Sequence, residues 1–171
     1  MEGYDIENCL NSMQILVDTR EQPSERAERR YKSFLCSYRR QKLDYGDYSV
    51  EFMDSDNNWT RVPVAIERKM SLDELAQCFT RERKRFNAEF ERAKADNATM
   101  YLLVENASWE NLITGKYKSQ FNSKAYLASI TTWSARYDLK IIFCKSETSG
   151  KLINEILYRE LKARLERGDF G

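Results

Sequence analysis

The apolar run Val62 to Ile66 passes without a break into Glu67-Arg68-Lys69, and Ser71-Leu72-Asp73-Glu74 follows almost at once. The run reads as a strand that leaves a buried sheet and ends in charge. The tetrad reads as a capping box, with Ser71 at the N-cap and Glu74 at the third helical position to bond back to it. A strand that hands over directly to a capped helix confines this stretch to an α/β arrangement. Side chains alternate across a strand, so Glu67 and Lys69 share one face and Arg68 points the other way. A carboxylate and an ammonium on one face, joined by a carboxylate from a neighbouring strand, can hold a divalent cation beside a phosphate. The cation binds the scissile oxygens, and the lysine orients or helps deprotonate an attacking water.

Composition removes most competing chemistries. There is no histidine, which excludes Ser-His-Asp, Cys-His, H-E-x-x-H and His-based nuclease centres. Cys9, Cys36, Cys78 and Cys144 are scattered without a C-x-x-C pair, so zinc is not expected and the thiols read as small, mostly buried groups in a reducing compartment. Carboxylates, Lys, Arg, Tyr and a hard metal remain, and Mg²⁺ or Mn²⁺ suits all-oxygen ligation best. The net charge of +1 excludes a uniformly basic surface, so local clusters must carry any nucleic-acid affinity. Met1-Glu2-Gly3-Tyr4-Asp5 lacks a basic n-region and an apolar h-region, and no run approaches membrane-spanning length. A cytoplasmic protein with no membrane partner is expected, in which the sequons at Asn97 and Asn106 carry no sugar.

Strands and helices alternate along the chain. Gln14 to Asp18 reads as a buried strand ending in an acid, and residues 19–23 as a loop. Ser24 to about Tyr38 reads as a helix anchored by Ala27, Tyr31, Phe34 and Leu35. Leu43-Asp44-Tyr45-Gly46-Asp47 is a turn feeding the strand Tyr48 to Phe52, residues 54–58 are a hairpin tip, and Trp59 to Lys69 returns as one strand. A helical pattern then runs through Leu75, Phe79, Phe86, Phe90 and Ala93, with a break or kink near Thr80. Met100 to Glu105 and Lys140 to Cys144 read as strands. Ser123 opens a helix, and Ser149 to Arg167 forms the last one, with Leu152, Ile153, Ile156, Leu157, Leu161 and Leu165 on its inner face. That stripe is wide enough to dock on the sheet or to mediate a dimer.

Three motifs stand in fixed order: Val17-Asp18-Thr19-Arg20-Glu21, Gly46-Asp47, and Glu67-Arg68-Lys69-Met70-Ser71-Leu72-Asp73. Together they resemble the V-D-x-R-E, G-D and E-R-K-x-x-x-D elements of the nuclease domain of the XPF-type structure-specific endonucleases, a family that includes the archaeal Hef nuclease. The likeness runs from about Ile15 to the final helix and takes in the strand Tyr101 to Glu105, Trp109-Glu110 and the basic helix before them. It implies a restriction-endonuclease-like α/β fold with a central mixed β-sheet flanked by helices. It also implies Mg²⁺ or Mn²⁺ as cofactor, and cleavage of branched, flap or junction DNA in repair or recombination. Carried over by position, Asp47 and Glu67, with Asp18, are metal ligands and Lys69 is the catalytic lysine. Asp18 and Glu21 complete the acidic cluster, while Arg20, Arg68 and Asp73 orient it or hold phosphate.

Family members usually add a tandem helix-hairpin-helix module, and sometimes a helicase. Residues 1–171 are read as a single nuclease domain with neither, its core at about 14–167. It has the character of a free-standing phage or prophage recombination product in the cytoplasm of a bacterial or phage-infected cell. A homodimer and a helper protein are among the partners such a domain would have. The rival reading is a catalytically inactive DNA-binding or dimerisation partner, but such subunits lose the acids and lysine that stand intact here.

Each motif also has a plainer role. Glu67 and Lys69 can form an ordinary surface ion pair, and Asp73 is equally explained by the helix dipole. Arg68 is expected to bond an acid such as Asp18 or Glu21. Residues 54–58 lack the glycine and distal glutamate of a calcium loop and read as a turn. The segment Thr80 to Lys94 offers Arg81, Arg83 and Arg85 as DNA contacts, the Arg85-Phe86 pair resembling a family feature; its plain reading is a solvated helix face. Arg26, Arg29, Arg30, Lys32, Arg39, Arg40 and Lys42 form a second basic cluster. Trp109, Tyr117 and Phe121 are candidates for base stacking, with packing the more ordinary use.

Overall fold

β1 (Gln14–Val17) follows helix α1 (Gly3–Asn11), and its Ile15, Leu16 and Val17 are fully buried. The computed structural model describes residues 3–170; Met1, Glu2 and Gly171 lie outside it, and with them the first residues of the N-terminal stretch read above. α2 (Glu25–Lys32) starts where the Ser24 hydroxyl accepts from the Ala27 N–H at 3.1 Å. It stops six residues short of the expected Tyr38. Leu35 is 89% exposed, so it is no helical anchor, and its N–H donates to Asn154 Oδ1 at 2.9 Å. The chain instead forms β2 (Ser37–Arg40), parallel to β1 with Tyr38 opposite Ile15.

β3 (Tyr48–Met53) and β4 (Trp59–Arg61) flank the expected turn, where Asp54 accepts from the Asp56 and Asn58 N–H groups and Asn57 adopts φ 62°. The single return strand expected from Trp59 to Lys69 is two strands. Pro63 has no N–H to give the ladder. Around it the Val64 N–H donates back to the Val62 carbonyl at 2.8 Å, and β5 (Val64–Lys69) begins there.

Ser71 caps α3 (Leu72–Phe79) as expected, its Oγ accepting from the Glu74 N–H at 3.1 Å, but the Glu74 carboxylate reaches one residue further back than expected and accepts from the Met70 N–H at 2.7 Å. The Thr80 hydroxyl bonds to the Ala76 carbonyl at 2.9 Å and α4 (Arg83–Ala95) starts afresh, which is the expected break. β6 (Thr99–Glu105), α5 (Trp109–Ile113), α6 (Ser123–Tyr137), β7 (Lys140–Cys144) and α7 (Ser149–Arg167) complete the chain. The strands form one mixed seven-stranded sheet in the order β2-β1-β3-β5-β6-β7, with β4 on β3, and helices flank it. β1 runs antiparallel to β3, and β6 parallel to β7.

The chain comprises two compact units. One is Met1–Leu43, Asp47–Ala65 and Gly150–Gly171; the other is Asp44–Gly46 and Ile66–Ser149. In the first, Ile153, Leu157, Leu161 and Leu165 of the α7 stripe are buried, while Leu152 and Ile156 of the same stripe are half-buried. Gly150 makes this packing possible, because a Cβ there would stand 2.7 Å from the Arg30 carbonyl oxygen. In the second, Phe79, Phe86, Phe90, Trp133 and Tyr137 form an aromatic core, with Phe79 and Trp133 centroids 5.2 Å apart.

Candidate active site

In the first unit, Asp18 at the end of β1 is wholly buried. Its carboxylate accepts from the Leu43 N–H at 3.0 Å and pairs with Arg20, which also donates to the Leu43 carbonyl. The Asp18 N–H donates to the Asp47 carbonyl at 2.8 Å, so the V-D and G-D motifs are adjacent. Glu21 pairs with the buried Arg30 and accepts from Tyr48 Oη at 3.0 Å; Arg30 Nε donates to that same hydroxyl. Arg39 holds Glu51 with two bonds of 2.6 and 2.9 Å, and Arg40 donates to the Thr19 and Glu21 carbonyls. Much of the second basic cluster is therefore engaged inside this unit.

In the second unit, β5 delivers Glu67 and Lys69 to one face as alternation requires. Glu67 is 4% exposed and accepts from Lys69 Nζ at 2.7 Å, and the ammonium lies 5.8 Å from the Phe86 ring centroid. Arg68, on the other face, makes a two-bond pair with buried Glu105 at 2.7 and 3.1 Å. This corrects the expected partner: the neighbouring strand β6 supplies the acid, which nothing near Arg68 in sequence announces. Asp73 lies in the first turn of α3, and its Oδ1 accepts from the Lys118 and Ser119 N–H groups at 2.8 and 2.7 Å. Its carboxylate thus latches the segment before α6.

Glu89 on α4 was read above only as part of a charged helix face. Its Oε1 accepts from the Gly46 N–H at 2.7 Å, and its carboxyl shares a hydrogen bond with Glu67. Burial, and then the charge of Glu67, push the Glu89 carboxyl up to about 7, against the pull of the Gly46 N–H and of Lys69. Gly46 needs its glycine, with φ 73°. Arg92 Nε, on the next turn of α4, donates to the Asp44 carbonyl at 2.8 Å, so two α4 side chains fix the turn that leads into Asp47. A sequence signal for Glu89 exists: it occupies the i+3 place in the stripe Phe86, Phe90, Ala93, where an apolar residue is the norm.

Arg81, Arg83 and Arg85 are exposed at the start of α4. Tyr117 and Phe121 pack on Tyr126 with centroids 5.4 and 5.1 Å away, and Trp109 packs on Phe143 at 5.0 Å, so all three aromatics serve packing. All four cysteines are free thiols; burial pushes Cys78 up to about 11, and Lys69 pulls against it. Among the described residues, no three or more His, Cys, Asp or Glu side chains group so as to hold a metal ion.

A mixed sheet whose central strand ends in a buried carboxylate and lysine is of the restriction-endonuclease-like class. The ERCC4 domain model matches residues 17–156, and the chain belongs to that family. The fold is similar to that of XPF from Aeropyrum pernix, at 17% identity and a TM-score of 0.58, covering 84% of this chain and 59% of that one. It is also similar to XPF from Aeropyrum pernix in complex with DNA, at 18% identity and a TM-score of 0.59, covering 91% and 66% respectively. The chain thus spans 59% and 66% of the lengths of these two XPF chains. No curated protein sequence matches it.

Proposed function

We propose that this protein is a Mg²⁺- or Mn²⁺-dependent DNA endonuclease that cuts branched, flap or junction DNA. The observation that carries the reading is the buried Glu67, held between Lys69 at 2.7 Å and the carboxyl of Glu89. A buried and a half-buried carboxyl that share one ammonium leave negative charge that a hard cation would offset, and their oxygen donors suit Mg²⁺ or Mn²⁺. By the family motifs, Asp47 and Glu67, together with Asp18, are the residues that would hold the ion. Asp18 is engaged with Arg20 and the Leu43 N–H, which favours its steadying the strand end over direct ligation.

The ion, when bound, would polarise the scissile phosphate and offset charge developing on its oxygens. Lys69 is mostly buried and fixed by Glu67, so its ammonium can orient the attacking water and meet the same charge. Glu89 and Arg92 hold the Asp44–Gly46 turn that precedes Asp47 in the chain. Arg81, Arg83 and Arg85 would contact flanking phosphates, with Arg20 a lesser contributor because Asp18 engages it. Glu21, Arg68 and Asp73 act as positioning residues through Arg30, Glu105 and the 118–119 backbone. A cytoplasmic site of action accords with the free thiols.

The test is incubation of flap, fork and Holliday-junction DNA with Mg²⁺ or Mn²⁺. Glu67→Ala and Lys69→Ala should each lose about 10²-fold or more of the wild-type cleavage rate while keeping a wild-type circular dichroism spectrum. Equal cleavage by all three proteins would overturn the assignment. DNA binding without cleavage under either metal would favour the inactive partner instead.

A further inference from the structure

In the second unit, the α3–α4 turn and the facing side of α6 enclose a recess of about 760 Å³. Arg81, Arg83, Lys84, Arg85 and Arg136 line it around Trp133, and its one carboxylate, Glu82, already pairs with Arg85 at 3.4 Å. Three features make this unlike an ordinary solvated helix face. α4 begins here with no side-chain hydrogen bond at its N-cap, Glu82, and with no acid in its first turn. That turn instead carries Arg83, Lys84 and Arg85, cations at the positive end of the helix dipole, where they repel both the dipole and one another. Trp133 is 1% exposed, and the Arg83 and Arg136 guanidinium carbons stand 5.2 and 5.4 Å from its ring centroid. The ring therefore holds two cations from different helices at the wall of one recess. Its buried Nε1 has no hydrogen-bond partner, an orphan polar group beside the same cations.

Cations gathered where they repel one another, two of them held on one ring, are an arrangement that an anion would relieve. The shape selects the kind of anion. A volume of this order suits a ligand of about one or two nucleotides. A duplex presents its phosphates on a stiff convex surface, whereas a single backbone can bend into a recess. Arg guanidiniums in a concave basic recess match a single backbone, the usual plan for binding unpaired strands.

We propose that this recess is a binding site for the phosphates of a single, unpaired DNA strand, with Arg136 of α6 and the first turn of α4 as its opposing walls. The proposal rests on the nuclease reading and specifies which arm of a branched substrate the second unit grips. It predicts that Arg136, far in sequence from every motif, discriminates single strand from duplex.

The full chain is titrated in EDTA, so that no cleavage occurs, with a fluorescein-labelled single-stranded oligothymidylate and, separately, with a blunt duplex. Wild type, Arg136→Ala and Arg136→Lys are compared across a range of salt, and the indole ¹⁵N–H signal of Trp133 is followed by NMR in each titration. Arg136→Ala should weaken single-strand binding about 10-fold, lower the salt slope by about one, and change duplex binding less than about 2-fold. Arg136→Lys should recover much of the loss, and the single strand, not the duplex, should shift the Trp133 signal. Unchanged single-strand binding by Arg136→Ala, with DNA binding otherwise intact, would overturn the site and leave the nuclease reading standing. An equal loss for both DNAs would mark a general phosphate surface and also overturn it. A folded wild-type protein that binds neither DNA would defeat the proposal and the reading together.

Discussion

Two groups of acids, one in each unit, are held in opposite ways. In the first, Asp18 has Arg20 and the Leu43 N–H, and Glu21 has Arg30 and the Tyr48 hydroxyl. Both carboxylates meet an opposite charge and a further donor, so this pair is a closed scaffold. In the second, Glu67 has Lys69 but also faces the carboxyl of Glu89, which is raised to about 7. Like charges in a buried place are costly unless something positive joins them. The contrast sets Asp18 and Glu21, each already neutralised, against Glu67 and Glu89, whose uncompensated charge fits the proposed ion, although one family signature spans both groups.

Breaking the closed group should have the largest effect on stability. Glu21→Ala leaves Arg30, 5% exposed, without its carboxylate and should cost about 3–5 kcal/mol, read as a lower urea midpoint. A loss below about 1 kcal/mol would mean that Glu21 is not scaffolding. The open group should respond with the opposite sign. The Glu89 carboxyl moves from an ordinary 4.5 to about 7 on folding, so the folded chain binds more protons between those values. Stability should therefore fall as pH rises through that window and level off above it. Glu89→Gln keeps an acceptor for the Gly46 N–H and removes the repulsion, so it should gain about 1–3 kcal/mol at pH 8 and nothing at pH 4. A gain independent of pH would contradict the coupling.

Asp73 tests the boundary between the two roles. Asp73→Asn keeps one carbonyl oxygen for the Lys118 and Ser119 N–H groups, whereas Asp73→Ala removes both bonds. The alanine variant should lose about 1 kcal/mol and expose those two amides to faster hydrogen exchange, and the asparagine variant should do neither. Loss of cleavage in Asp73→Asn with exchange unchanged would instead place the carboxylate's charge in the chemistry.

What local pattern dictates was legible in the sequence. Strand alternation put Glu67 and Lys69 on one face, Ser71 capped α3, and the stripes of α6 and α7 marked helices. The features that long-range contacts decide were not. α2 ends early because Leu35 bonds to Asn154, 119 positions away, and Arg68 finds its acid on β6. The break at Pro63 carried a local signal, overridden by the apolar residues around it. Glu89 was hidden because an acid among Arg and Lys looks solvated; only its place in the Phe86–Ala93 stripe marks it as inward.

The most direct measurement is the increase in melting temperature that Mn²⁺ gives to the wild type, Glu67→Gln and Glu21→Gln. If Glu67 helps to seat the ion, saturating Mn²⁺ at about 100 times its dissociation constant should stabilise the wild type by about 2.7 kcal/mol. It should stabilise Glu21→Gln by the same increment, because that residue belongs to the closed group. Glu67→Gln should show no increment whatever its starting stability. An increment that survives in Glu67→Gln, or that disappears in Glu21→Gln, would contradict the division of the buried acids into scaffold and site.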